Sequence, residues 1–232
     1  MNEGTPIHMT RIYRPTSGPE DWRAFLADPD LHWKTGYSAR AMAHSWEETG
    51  GLPHEIRETL SAHFDADVEP LFVVPEHKVA MPGSATGPSQ NDVFMFARIG
   101  EATAAVMVEG KVNESFDKTI GDWIANGSAA KQKRLEGLCL LLGLAHPPGP
   151  QLRYQLLHRA ASAILEAERF GADHAVMLVQ SFSQEHIWFD DFAAFVDALG
   201  GQAEAGRLAT VNVGKGQLHL GWVTGDPVFL TR

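Results

Sequence analysis

A single cysteine, Cys139, stands in this 232-residue sequence. An internal disulfide is therefore excluded, and so is a zinc knuckle built on paired thiolates. Its apolar, helix-like surroundings predict a buried thiol acting as a small hydrophobe. Long hydrophobic runs are also lacking: the longest, around residues 138–145, is under half of the roughly 18 residues that a membrane span requires. The opening MNEGTPIHMTRIYRP has no apolar core of the secretory kind. These absences predict a cytoplasmic protein that does not enter a membrane. Positive charge is scarce as well, with 19 Lys and Arg against 29 Asp and Glu and a formal net charge of −10. That weighs against a protein that coats nucleic acid non-specifically through phosphate contacts, while leaving room for a local basic groove. No Gly-x-Gly-x-x-Gly, Walker or Gly-x-Ser-x-Gly pattern occurs, so nucleotide-cofactor and serine-hydrolase chemistry have no foothold. The 11 histidines include no His-x-x-x-His pair; His44, His54 and His63 are too irregularly spaced for a zinc site on one helical face.

What is present is ordinary globular composition, 44% hydrophobic and 21% charged, enough for one sizeable core in a single domain over residues 1–232. The most informative stretch is 90–112, QNDVFMFARIGEATAAVMVEGKV, which reads as two strands around a tight turn. A two-residue turn at Gly100-Glu101, Gly first as a type II′ turn prefers, places Asp92 directly opposite Glu109. Facing carboxylates with Cβ atoms roughly 5 Å apart repel unless positive charge stands between them. Lys111, two residues after Glu109, falls on the same face. A divalent cation held by Asp92 and Glu109, with Lys111 beside it, would account for all three. Phe94, Phe96, Ala105 and Met107 share that face, and Val93, Met95, Val106 and Val108 fill the other. The hairpin therefore reads as central strands with helices on both sides.

Around it the chain predicts an irregular arm over 1–20, a short helix over 19–27 stopped at Asp28-Pro29-Asp30, and a helix over 38–48 capped by Ser38. A helix from Pro53 to residue 64 follows, then a strand over 71–81 in which Pro75 marks an edge or bulge, then a Gly/Pro/Ser loop over 82–90. Beyond the hairpin, Phe116, Ile120, Trp123 and Ile124 fit one side of a short helix, and Asn126-Gly127-Ser128 forms a break and a cap. The helix over 129–144 starts basic and turns apolar at Leu135, Leu138, Leu141 and Leu142, predicting a buried second half. The helix over 152–170 carries a buried stripe of Leu152, Leu156, Ala160, Ala163 and Ala167, with Gln155 at its border and Arg153, His158 and Arg159 within two turns; one reading of this group is a hydrogen-bonded core-edge Gln with surface arginines. Gly171, a buried strand over 174–182, a helix over 190–199 opened by Asp190, and a hairpin of 208–213 and 217–223 around Gly214-Lys215-Gly216 complete the chain.

Asp92, a strand and a turn, then Glu109-Gly110-Lys111 after four apolar residues resembles the Asp…(Asp/Glu)-x-Lys signature of the restriction-endonuclease-like nucleases, the PD-(D/E)XK superfamily. Asn91 stands where that family often has Pro. The resemblance implies an α/β fold with a core of helix, three strands, helix and strand over residues 38–182, a mixed sheet flanked by helices, and elaborations over 1–37 and 183–232. It implies Mg²⁺ or Mn²⁺ on Asp92 and Glu109, with the Gly110 carbonyl and Glu47 from the preceding helix as further ligands. Lys111 would then orient water or offset transition-state charge, and Gln155 would point to the metal site. The implied activity is phosphodiester hydrolysis in DNA or RNA, and cutting both strands suggests a homodimer. Two other readings stay open: a nuclease-fold binding or regulatory protein in which Asp92, Glu109 and Lys111 are only an ion-pair cluster, and an unrelated α/β domain.

Overall fold

The computed structural model describes residues 11–83, 87–125, 127–214 and 216–232. Three antiparallel strands come first, β1 (Val68–Val79), β2 (Ser89–Ile99) and β3 (Ala102–Lys111). Pairs from Val93↔Val108 to Ile99↔Ala102 give the register that the two-residue turn predicts. Gly100 takes φ 59, while Glu101 is not among the residues with positive φ, as a type II′ turn requires. β1 lies at the sheet edge, which tolerates Pro70 and Pro75, and a register shift between Pro70 and Phe72 bends it. Residues 11–13 pair with Val73 and cover part of that edge.

Among the described residues the sheet has six strands in the order β1-β2-β3-β4-β6-β5, with β4 (His174–Ser181), β5 (Leu208–Val213) and β6 (Gly216–Thr224). β4 runs parallel to β3 and β6 parallel to β4, so each needs a crossover. The first crossover holds α4 (Ile120–Ile124), α5 (Ala129–Leu142) and α6 (Tyr154–Phe170); the second holds α7 (Phe189–Ala198). Ahead of the sheet come α1 (Pro29–His32), α2 (Ser38–Glu48) and α3 (His54–Phe64), with a 3₁₀ turn at Pro19–Phe25. The architecture is therefore α/β, a mixed sheet flanked by helices. One face packs Phe94, Met107 and Leu220 against Leu138, Leu156 and Ala160; the other packs Met95, Val106 and Leu178 in a core with Met42, Trp46 and Leu60. Coverage on both faces explains the unbroken apolar runs 93–97, 104–108 and 175–179 at the centres of β2, β3 and β4. Among the described residues no helix is long and apolar enough to cross a membrane.

Several local expectations are corrected. Ser38 does not cap α2: its backbone N–H and hydroxyl both donate to Glu114 Oε1 at 2.9 Å, and Tyr37 holds the cap position. Asp190 lies inside the first turn of α7, whose cap position is Trp188 in the left-handed region. Asp28, expected to stop a helix, accepts from Leu31 N and starts α1. α5 ends at Leu142 because Gly143 turns left-handed, and Leu140 in its apolar half is 80% exposed. Residues 1–10 of the expected arm, 84–86 of the loop, Asn126 of the break and Lys215 of the last turn lie outside the described residues.

Candidate functional site

Strand register assembles a row of three carboxylates. The pairs Pro75↔Val93 and His77↔Asn91 bring Glu76 of β1 opposite Asp92 of β2, and continuing the β2–β3 ladder one step past Val93↔Val108 brings Asp92 opposite Glu109 of β3. Asp92 Oδ2 accepts from the backbone N–H of Gly110 at 2.7 Å. Glu76 Oε2 accepts from Gln90 Nε2 at 2.6 Å, and Glu76 sits at φ 51, a conformation in which a non-glycine residue is strained. Glu109 is enclosed by donors: Lys111 Nζ at 2.8 Å and Gln155 Nε2 at 2.7 Å reach Oε1, and Arg159 Nε reaches Oε2. Gln155 Oε1 also accepts from Lys111 Nζ at 3.2 Å. These residues line one cavity of about 590 Å³.

α6 delivers Gln155 and Arg159 together because residues four apart stand on one helical face. Arg159 is 7% exposed, and its Nη1 donates to Ser89 Oγ at 2.9 Å; Ser89 in turn meets His158 Nδ1 at 2.8 Å. Arg159 is thus the buried counter-ion of Glu109, which corrects its reading as a surface arginine. Gly110 permits α2 to approach β3: a Cβ there would lie 2.6 Å from Met42 Cγ and 3.4 Å from Asp92 Oδ2.

The electrostatics follow from burial. Desolvation, then the facing Glu109, pushes Asp92 up to about 7, against the pull of Arg159, Lys111 and the Gly110 N–H. Desolvation and then Asp92 push Glu76 up to about 8. Burial acts the same way on Glu109, but Arg159 and Lys111 outweigh it and hold this carboxylate below its ordinary range. One ion-paired carboxylate therefore stands beside two that give up protons only near or above neutrality.

Asp92, Glu109, Gly110, Lys111 and Gln155, singled out in the sequence, come together. Glu47 does not join them; it accepts from Trp22 Nε1 at 2.7 Å and is not part of the cavity wall. Glu76 and Arg159 escaped the sequence reading. Arg159 carried a signal, its i+4 spacing from Gln155, whereas the bend and positive φ of β1 hide Glu76 from strand arithmetic. Among the described residues no group of three or more His, Cys, Asp or Glu side chains is arranged to hold a metal ion.

No curated protein and no solved structure matches this chain. A family profile does match over residues 15–227, nearly the full length, and by it the chain belongs to the DUF6946 family, a domain of unknown function.

Proposed function

We propose that the chain hydrolyses phosphodiester bonds in DNA or RNA with the help of Mg²⁺ or Mn²⁺, on a restriction-endonuclease-like core. The observation that carries this reading is the convergence of Asp92, Glu109, Lys111 and Gln155 on one cavity. The order of helices, three strands, helices and a parallel fourth strand supports it. The donor set fits a hard cation: Asp92 and Glu109 would hold it, with Glu76 and the Gly110 carbonyl beside them. Burial first and the facing carboxylates second raise Asp92 and Glu76, and a bound cation would offset both by stabilising their charged forms. When bound, the ion supplies Lewis-acid polarisation of the phosphodiester and activation of water. Lys111, 2.8 Å from Glu109 and braced by Gln155, holds a positive charge where negative charge develops in the transition state. Gln155 is a positioning residue, fixing Lys111 and Glu109 at once. Glu47 has no part in this mechanism.

Thermal unfolding with and without Mg²⁺ or Mn²⁺ tests it. At about a hundredfold excess over Kd a folded-state ligand adds about 2.7 kcal/mol. The wild-type midpoint should rise by about 5–10 °C, and Asp92→Asn should lose the response. Single-stranded DNA, duplex DNA and RNA should then be cut by wild type and spared by Asp92→Asn and Lys111→Met. A second reading, a binding protein without catalysis, is favoured by the Arg159 and Lys111 contacts that already engage both oxygens of Glu109. A wild-type midpoint indifferent to both metals selects it.

A further inference from the structure

Beside the carboxylate cavity, sharing Gln90, Asp117, Gln155 and Arg159 with it, lies a second cavity of about 360 Å³. Lys131, Arg134 and Arg159 line it against one acid, Asp117, in a chain of formal net charge −10. Two of these cations rest on a rigid shelf. Trp123 and Tyr154 stack with centroids 3.9 Å and planes 12° apart. The Lys131 ammonium lies 5.1 Å from the Trp123 centroid and donates to the Trp123 carbonyl at 2.9 Å. The Arg134 guanidinium lies 5.9 Å from the Tyr154 centroid, donates to the Gly87 carbonyl at 2.6 Å, and belongs to a residue 3% exposed. Charges fixed in this way lose little rotamer freedom when a ligand arrives.

The same wall carries a neutral donor. Burial, then Arg159, Arg134 and Lys111, hold His158 well below its ordinary value. Its Nδ1 faces Arg159 Nη1 at 3.2 Å, a group that can only donate, so Nδ1 accepts and the ring proton resides on Nε2. α6 has no acidic residue in its first turn and no side-chain cap, so the positive end of its dipole adds to the field where Tyr154 and Gln155 meet the cavity.

We propose that this second cavity is an anion subsite that takes a phosphate of a nucleic-acid strand, the neighbour of the phosphate brought to Asp92 and Glu109; it rests on the hydrolase reading above. Because Gln155 and Arg159 stand in both walls, one continuous strand reaches both cavities. Arg159, paired with Glu109 and directed at the second cavity, links them.

The experiment is fluorescence anisotropy of a short fluorescein-labelled DNA single strand, with EDTA present, titrated with wild type, Lys131→Ala and Lys133→Ala. Lys133 is exposed and forms no part of either wall, so it controls for general charge loss. Lys131→Ala should bind about tenfold more weakly. Its log Kd should also depend on log salt less steeply, by about 0.7, while Lys133→Ala matches wild type. Equal losses in both variants, no loss in Lys131→Ala, or a wild type that does not bind the strand would overturn the subsite. Metal-dependent unfolding separates the two claims. A wild-type midpoint that ignores metal, with strand binding still dependent on Lys131, removes the hydrolase and keeps the anion subsite. An intact metal response with binding indifferent to Lys131 does the reverse.

Discussion

At Asp92 the side chain stands where its own ionisation costs free energy. Its proton leaves at about 7 in the folded chain against an ordinary 3.8, and that of Glu76 at about 8 against 4.5. In each case the folded state binds the proton more tightly than the unfolded chain. The stability this contributes is complete below the ordinary values and is lost as pH rises through the raised ones. His219, lowered to about 4 by burial and by His63 and His174, acts in the opposite sense and weakens the fold as pH falls below about 6.5. The carboxylates are therefore read most cleanly above pH 6.5. Melting in EDTA should give a wild-type midpoint that falls between pH 6.5 and 8.5, and a flatter profile with a higher midpoint at pH 8 for Asp92→Asn. A variant that melts below wild type at pH 8 would show that the ionised carboxylate stabilises the fold. At this scale Asp92, Glu109 and Lys111 were legible because a two-residue turn fixes every cross-strand pair. Arg159 was legible only in part: its i+4 spacing from Gln155 puts it on the same helical face, but nothing on the helix says that a carboxylate from a strand awaits it.

Among the elements, α2 approaches β3 closely over Gly110. The middle residue of Glu109-Gly110-Lys111 is constrained by packing: its Cβ would lie 2.6 Å from Met42 Cγ, inside contact distance. Gly110→Ala should destabilise by about 1–3 kcal/mol in urea unfolding through overpacking. Met42→Ala, which empties a buried core position, should cost less in the Gly110→Ala background than alone, because the clash is with a side chain. If the double variant loses the sum of the two single costs, Met42 is not the obstacle. Helices α5 and α6 and strands β4 to β6 were readable to within about two residues from periodicity and glycine stops. Ser38 misled because its hydroxyl looks like a cap locally, while Glu114, 76 residues away in sequence, takes both of its donors.

Across the whole molecule, the carboxy-terminal hairpin is part of the sheet that carries the site. β6 pairs with β4 from Ala175↔Leu218 to Ser181↔Thr224, and Trp222, fully buried, meets the rings of Phe116, Phe189 and Phe192. Phe116 is also the ring beneath the Lys111 ammonium, 5.0 Å from its centroid. A chain ending at residue 183 strips β4 of its outer neighbour and opens the core around Phe116. Such a chain should give no cooperative thermal transition in circular dichroism; a transition as sharp as that of the full chain would mean that residues 1–183 fold without the carboxy-terminal hairpin.

The sequence by itself determined the β2–β3 and β5–β6 hairpins and the faces that β2 and β3 bury, since turn length and period-2 alternation are local rules acting on contiguous residues. It also brought Asp92, Glu109 and Lys111 to one face. Tertiary structure alone decided that Glu76 joins Asp92 through a bent edge strand, that Arg159 neutralises Glu109, and that Lys131 and Arg134 gather on the Trp123–Tyr154 shelf. Those contacts join residues on separate elements, and only the packing of crossover helices on the sheet sets the distances over which their charges act.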